Sequence, residues 1–301
     1  SDKDRLYLSA YLGKDKFYVT TSNEGNYSSD ANSGSYSDQL DFGLEWGNIT
    51  SALRWNHLFS NKLFSNTILT YSKYLFDTDI GTLSSSSING VDLSDQFDFS
   101  YYSGIEDYGA KIDFDYLPNP NHKVKFGFNY TYHQFFPGSL DLYSATSVDG
   151  VSNVLLDTIF DFSERLNSHD TYLYLEDDIK INDFLKVNIG GHLANFNTQE
   201  TSYLSFQPRL STRILLSKDW SIKASYAEMH QHIHLLSSTS AGLPTDIWVP
   251  STDSVPPEFS RQVSASVNHS FFNGHFEFSV ATYYKTLSDL VTLKEGAEII
   301  G

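Results

Sequence analysis

The 301-residue sequence predicts an all-β protein: part of a transmembrane antiparallel β-barrel, with about eleven strands. Three observations carry this. Apolar and polar residues alternate strictly over long runs, which puts them on opposite faces of a strand. Many runs reach about 13–20 residues, whereas globular strands have about 5–6 and a tilted strand crosses hydrocarbon in about 9–11. The connections alternate between tight and long, as membrane barrels sort their turns and loops.

Taken in order, the first strand is read over 4–20 and the second over 38–57, with a long polar segment at 21–37 between them. Phe59-Ser60-Asn61-Lys62 turns tightly into a third strand, 62–80. A Ser- and Asp-rich stretch, 81–94, leads to a fourth, 95–117. Pro118-Asn119-Pro120-Asn121 turns into the fifth, 122–137. There Val124, Phe126, Phe128, Tyr130 and Tyr132 oppose Lys123, Lys125, Gly127, Asn129, Thr131 and His133. The long segment 138–164 precedes the sixth strand, 165–181, and Asn182-Asp183 turns into the seventh, 184–198. In the seventh, Leu185, Val187, Ile189 and Leu193 oppose Lys186, Asn188 and His192. After a short connection at 199–202, which breaks the alternation of loop lengths, comes the eighth strand, 203–217. Its Leu204, Phe206, Leu210, Ile214 and Leu216 oppose Ser205, Gln207, Arg209, Ser211 and Arg213. Ser217-Lys218-Asp219 leads to the ninth, 220–235. The long segment 236–258 is followed by the tenth, 259–272, and Phe272-Asn273-Gly274 by the eleventh, 275–288. Gly, Pro, Asn and Asp dominate the tight turns because they adopt turn dihedrals at low cost.

Composition agrees. Aromatic residues are 15%, yet the mean hydropathy is −0.33, as expected when one face of each strand meets lipid and the other water. Trp55 and Phe59, Tyr71 and Tyr74, Phe135 and Phe136, and Trp220 fall near strand ends, where interfacial girdles sit. With no Cys, disulfides, thiolate metal sites and Cys nucleophiles are excluded. A net charge of −17 argues against a nucleic-acid partner. No apolar run is long enough for a membrane helix. G-x-S-x-G, P-loop, H-E-x-x-H and dinucleotide-binding patterns are all missing, so no enzyme and no cofactor is expected. The sequons at Asn48, Asn129 and Asn268 fall inside strands and carry little meaning. No domain boundary interrupts 1–301, and a start at Ser1 without a signal peptide reads as a mature protein or a fragment.

Several stretches carry a family resemblance. They are Lys3-Asp4-Arg5-Leu6-Tyr7-Leu8-Ser9-Ala10-Tyr11 with Gly13-Lys14-Asp15, then Trp46-Gly47-Asn48 through Leu53-Arg54-Trp55-Asn56-His57. Lys62-Leu63-Phe64-Ser65-Asn66, Tyr71-Ser72-Lys73-Tyr74, Gln207-Pro208-Arg209-Leu210-Ser211 and Ser225-Tyr226 follow. The last are His232-Ile233-His234-Leu235-Leu236, Gly242-Leu243-Pro244-Thr245-Asp246-Ile247-Trp248-Val249-Pro250, Tyr283-Tyr284-Lys285-Thr286 and Lys294-Glu295-Gly296. Together they resemble the barrel of TonB-dependent receptors of the Bacteroidota type. The resemblance implies a 22-stranded barrel, a plug domain filling its lumen, import of a scarce large nutrient, and energy delivered by TonB. Plug, TonB box and closing strands lie outside this sequence, so about half a barrel is expected, unable to transport alone. Outer-membrane lipid and a surface lipoprotein are further expected partners. A passive porin or adhesin-type barrel, and a soluble secreted β-rich binding protein or hydrolase, are the competing readings.

Candidate sites are sparse. His230, His232 and His234 alternate on one expected strand, so their imidazoles are weak candidates for a metal. A His-rich segment rising into a loop is the plainer reading. Of Glu176-Asp177-Asp178, only Glu176 and Asp178 share a face, and a wet lumen wall explains them better than a catalytic pair. Asp177 then falls on the lipid face. Lys123, Lys125, Lys186, Arg209, Arg213 and Lys223 lie on polar faces, where they support the wall or meet a plug or ligand. Ligand choice is expected in the long loops, with Trp248 available to stack on a ring and Arg209 and Arg213 in the lumen.

Overall fold

The computed structural model describes residues 2–28, 33–161, 165–238 and 245–292. Lys294-Glu295-Gly296 and Gly242-Leu243-Pro244 lie outside the described residues. The strands are β1 (Asp4–Ser28), β2 (Ser33–Ser60), β3 (Leu63–Ile88), β4 (Val91–Asn119), β5 (His122–Val148), β6 (Val151–Asp161) and β7 (Leu166–Lys180). They continue with β8 (Leu185–Thr198), β9 (Ser202–Leu215), β10 (Trp220–Gln231), β11 (Ile233–Ser238), β12 (Thr245–Pro250), β13 (Glu258–Phe271) and β14 (Phe276–Ser288). Eleven of them form one antiparallel meander in the order β1-β2-β3-β4-β5-β7-β8-β9-β10-β13-β14. Beyond this wall, β6 folds back on β5, and β11 pairs only with β12. The eleven wall strands match the expected number and order.

Directly paired residues share a face, so the register sorts side chains without ambiguity. On the outer face, Leu8, Leu53 and Leu69 are aligned across β1–β3. Phe128, Leu173, Leu193 and Phe206 are aligned across β5, β7, β8 and β9. All seven are exposed, as lipid-facing side chains are. Two aromatic belts border this band. At the turn end, Trp55, His57, Phe59, Phe114 and Phe126 form a chain of ring contacts, and Trp220 stacks on His269 at 4.0 Å. At the other end, Tyr71, Tyr108 and Tyr132 follow one another at 5.2 and 6.4 Å. Trp55, Phe59, Tyr71 and Trp220 therefore sit as the girdle reading expects, whereas Tyr74 and Phe135 face inward. Asp177 is on the outer face as read, near the turn end, and its Oδ2 is 2.7 Å from His122 Nδ1. Glu176 and Asp178 line the lumen, with Lys125 and Asn188 as respective partners.

The loops at 21–37, 81–94 and 138–164 need correction, because most of their residues continue the sheet. β3 and β4 meet at Asn89-Gly90, and β5 and β6 at Asp149-Gly150. All four residues have positive φ, from 49° to 86°, the geometry of a two-residue turn that follows strand twist. Chains rich in Ser and Asp still satisfy their backbone groups best by pairing with each other. The 29 residues of β4 would extend about 95 Å at roughly 3.3 Å per residue, so this flank rises far beyond a bilayer.

One bulge matters above the second belt. Between Tyr102↔Ser139 and Gly104↔Phe136, β5 spends Pro137-Gly138 against the single Ser103. Gly138 has φ +146°, and the Tyr101 ring lies against it where a Cβ would go. The extra residue changes which parity of β5 points inward, so Leu140 and Leu142 join the inner face.

Candidate functional site: an aromatic vestibule and its inward hairpin

The two faces exchange character above the Tyr71–Tyr108–Tyr132 belt. Below it the inner face is polar: Arg54, Lys111, Asp113, Lys125, Tyr174 and His192 help line a cavity of about 730 Å³. Above it the outward positions become Lys73, Asp77 and Asp79 on β3, while the inward ones become Tyr74, Phe76, Thr78 and Ile80. Phe76, Phe99, Tyr101 and Leu140 form a buried inner cluster, with Leu44, Trp46, Tyr74, Ile80 and Leu142 packed around it. Phe135 is also fully buried. An aqueous vestibule thus acquires an apolar, aromatic inner wall on the side where the alternation inverts. Sequence reading missed Tyr101, Phe135, Phe196 and their neighbours as candidates. The available signal was that inversion: alternation persists through β3 and β4 while the apolar parity changes.

The hairpin β11–β12 folds into this vestibule. β10 pairs with β9 only up to Ala227↔Arg209. The next position on β9 is Pro208, which has no N–H to donate. Beyond it β10 is held in the wall only by β13, up to Gln231↔Glu258, and the strand breaks at His232. Ile247 then packs on the inner cluster, and the Trp248 ring stands edge-on to Tyr74 at 6.4 Å. The return segment is tied down where Tyr203 Oη donates to the Thr252 carbonyl at 2.7 Å.

This break corrects the three-histidine reading. His230, His232 and His234 do not continue along one strand. The His230 and His232 rings stack at 6.5 Å, and His232 stacks on Phe196 at 4.8 Å. His234 Nε2 lies 2.9 Å from Ser251 Oγ, and its Nδ1 lies 3.5 Å from Glu258 Oε1. Both ring nitrogens of His232 are buried without a partner. Burial, reinforced by His230 and His234, pushes its pKa down to about 4. Among the described residues no group of three or more His, Cys, Asp or Glu is arranged to hold a metal.

The other candidates are not brought together. Trp248 is half-buried in the vestibule, and its Nε1 is buried without an acceptor. Arg209 lies on the inner face of β9 beside the point where β10 departs. Arg213 lies further toward the turn end, in the lining of a cavity of about 940 Å³. The Nε atoms of both arginines are buried without acceptors.

A wall with an apolar band outside, aromatic belts at both its edges and a wet lumen inside defines an outer-membrane-type β-barrel. More particularly, the chain belongs to the family described as TonB dependent receptor-like, beta-barrel, whose model matches residues 2–300. Members of this family are receptors and transporters of the Gram-negative outer membrane, not enzymes. Among solved structures, the chain is similar to the ferripyoverdine receptor of the outer membrane of Pseudomonas aeruginosa at 10% identity and a TM-score of 0.43. That match covers 94% of this chain and 48% of the receptor. It is also similar to the FrpB iron transporter from Neisseria meningitidis, at 11% identity and a TM-score of 0.45, with 95% and 54% covered. A third is the siderophore receptor PirA from Pseudomonas aeruginosa, at 11% identity and a TM-score of 0.44, with 92% and 56% covered. The chain thus spans about half the length of these structures. No curated protein sequence matches it.

Proposed function

We propose that this chain is the barrel segment, over 1–301, of an active importer in the outer membrane of a Gram-negative bacterium. The longer protein takes up a scarce, large nutrient: a glycan, siderophore, cobalamin or peptide. The resemblance of the quoted sequence stretches supports a receptor of the Bacteroidota type. A plug domain fills the lumen, TonB supplies energy from the inner membrane, and a surface lipoprotein serves as lid partner. The lipid-facing band anchors the wall.

The observation that carries this reading is the inward aromatic face above the second belt. A passive water-filled pore has no use for a hairpin packed inward on the buried Phe76, Phe99 and Tyr101 that leaves half-buried Trp248 and Tyr74 toward its mouth. A binding vestibule does, because aromatic faces stack on rings and bury large ligand areas. No residue here performs covalent chemistry. Trp248 and Tyr74 hold the ligand by stacking, and Arg209 and Arg213 meet the plug or the passing ligand.

The test uses the full-length receptor in a Gram-negative host with and without functional TonB. Uptake is measured for a labelled oligosaccharide, a ferric siderophore, cobalamin and a labelled peptide. Uptake of one probe is expected to require TonB. Trp248→Ala is expected to weaken its capture about tenfold, the loss of one aromatic contact worth roughly 1.4 kcal/mol. Equal uptake of every probe in the two strains would overturn the reading.

A further inference from the structure

The turn end of the inner face carries a row of like charges that, apart from Lys180, no carboxylate among the described residues answers. Lys180 pairs directly with Lys186, Lys186 with Arg213, Arg213 with Lys223, and Lys223 with Ser266. The four cations therefore share one rung across β7, β8, β9 and β10. Directly opposed side chains have Cβ atoms about 4.5–5.5 Å apart, and like charges so placed repel. Lys180 is compensated from its own turn, with Nζ 2.6 Å from Asp183 Oδ1. Lys186, Arg213 and Lys223 have no carboxylate within 4.0 Å among the described residues. Arg213 Nε is buried without an acceptor. Asp178, in the same lining, already accepts from Asn188 Nδ2 at 2.9 Å, and Asp115 faces Lys123 at 3.7 Å.

The row lines the cavity of about 940 Å³, together with Lys62 and Lys123. Such a gathering runs against the composition, which has 37 acidic and 20 basic residues. Lys186 and Lys223 are exposed to the lumen and Arg213 is half-buried, so the row presents a concentrated positive charge to whatever fills that space. A free ion in a wet lumen offers little, since a solvated ion pair is worth about 0–1 kcal/mol. Several carboxylates held together by a folded segment offer more, because their ordering cost is met in advance.

We infer that the Lys186–Arg213–Lys223 row docks an acidic, carboxylate-bearing segment of the domain that fills the lumen of the longer receptor. The inference rests on the importer reading above and adds the sign and place of one contact. The row faces the lumen rather than lipid, and it lies at the end where short turns meet the periplasm. Its occupant therefore belongs to the lumen, not to the bilayer or the outer surface.

The experiment uses the full-length receptor carrying Ser266→Cys, since Ser266 ends the cationic rung and the chain has no cysteine of its own. Labelling by a membrane-impermeant maleimide is followed from the periplasmic side. Protection is expected in the native background. Loss of protection is expected when Lys186→Gln, Arg213→Gln and Lys223→Gln are combined. About tenfold faster labelling corresponds to roughly 1.4 kcal/mol of lost docking energy. A milder Lys186→Gln, Lys223→Gln pair, with folding checked by heat-modifiable gel migration, covers the case in which the triple variant fails to assemble. Equal protection with and without the cations would overturn the docking inference and leave the importer reading intact. Fast labelling in the native background would mean an empty lumen and sink both. Protection that is lost on dialysis and restored by millimolar inorganic phosphate would assign the row to a free anion, which also overturns the proposal.

Discussion

At the scale of single residues, a side chain here is governed by which parity it occupies and how far along the strand it lies. Leu173 and Asn129 illustrate this. Leu173 is exposed on the outer face between the belts, and Asn129 points into the lumen. Leu173→Arg is expected to destabilise the assembled barrel by about 2–4 kcal/mol, the depth-dependent cost of a cation on the lipid face. Asn129→Arg should cost far less. Urea titration of the full-length receptor folded into vesicles compares them, and equal costs would contradict the face assignment. This level was legible in the sequence: the alternation from Lys123 to Gln134 by itself sorts lipid from lumen. Tyr74 and Phe135 were not legible, because proximity to a strand end does not say on which side of the sheet a ring lies.

Among elements, the hairpins were the least legible. Asn89-Gly90 and Asp149-Gly150 are strong turn signals, but the Ser- and Asp-rich composition around them reads as loop. Gly90 has φ +86° with open space where a Cβ would stand. Gly90→Val should therefore act through the backbone alone, costing about 1–2 kcal/mol for a branched residue in the left-handed region. Amide exchange should rise over 84–95 while the membrane strands stay protected. Protection unchanged at the tip would refute the turn geometry. The inward course of β11–β12 was invisible for a different reason. Apolar alternation continues through His230–His234, and the point where β10 loses its β9 partner, next to Pro208, is set on the neighbouring strand.

That hairpin also has a pH prediction. The groups facing His232 are His230 and His234, and Glu258 lies beyond His234. Burial holds His232 neutral down to about 4, against 6.5 when released. Above pH 6.5 neither state takes a proton, so the closed hairpin keeps its full stability. As pH falls toward 4, only the released state gains one, and closure weakens. Amide exchange in 233–238 and 245–250 should rise over that window, and His232→Phe should flatten the response. A response unchanged by that substitution would exclude His232 as its origin.

For the molecule as a whole, the eleven-strand meander was legible because strand length, loop sorting and aromatic placement all required the same solution. Its charge distribution was not. The sequence shows an acidic chain, and only the strand register lines up Lys180, Lys186, Arg213 and Lys223 on one rung. Likewise the apolar face above the second belt needs the third dimension, since the inner cluster unites β2, β3, β4, β5 and β12.

The unequal heights of the strands have a consequence for approach. From β1 to β5 the wall is 25 to 29 residues tall, whereas from β7 to β10 it is 12 to 15. The described rim is thus a slope, with its high flank bearing the aromatic wall and its low flank giving rise to the inturned hairpin. If the chain serves the importer proposed above, a bulky solute arriving over the low side would reach the hairpin and its half-buried Trp248, while the rings of the high side stay covered beneath it, so the slant would give entry a direction.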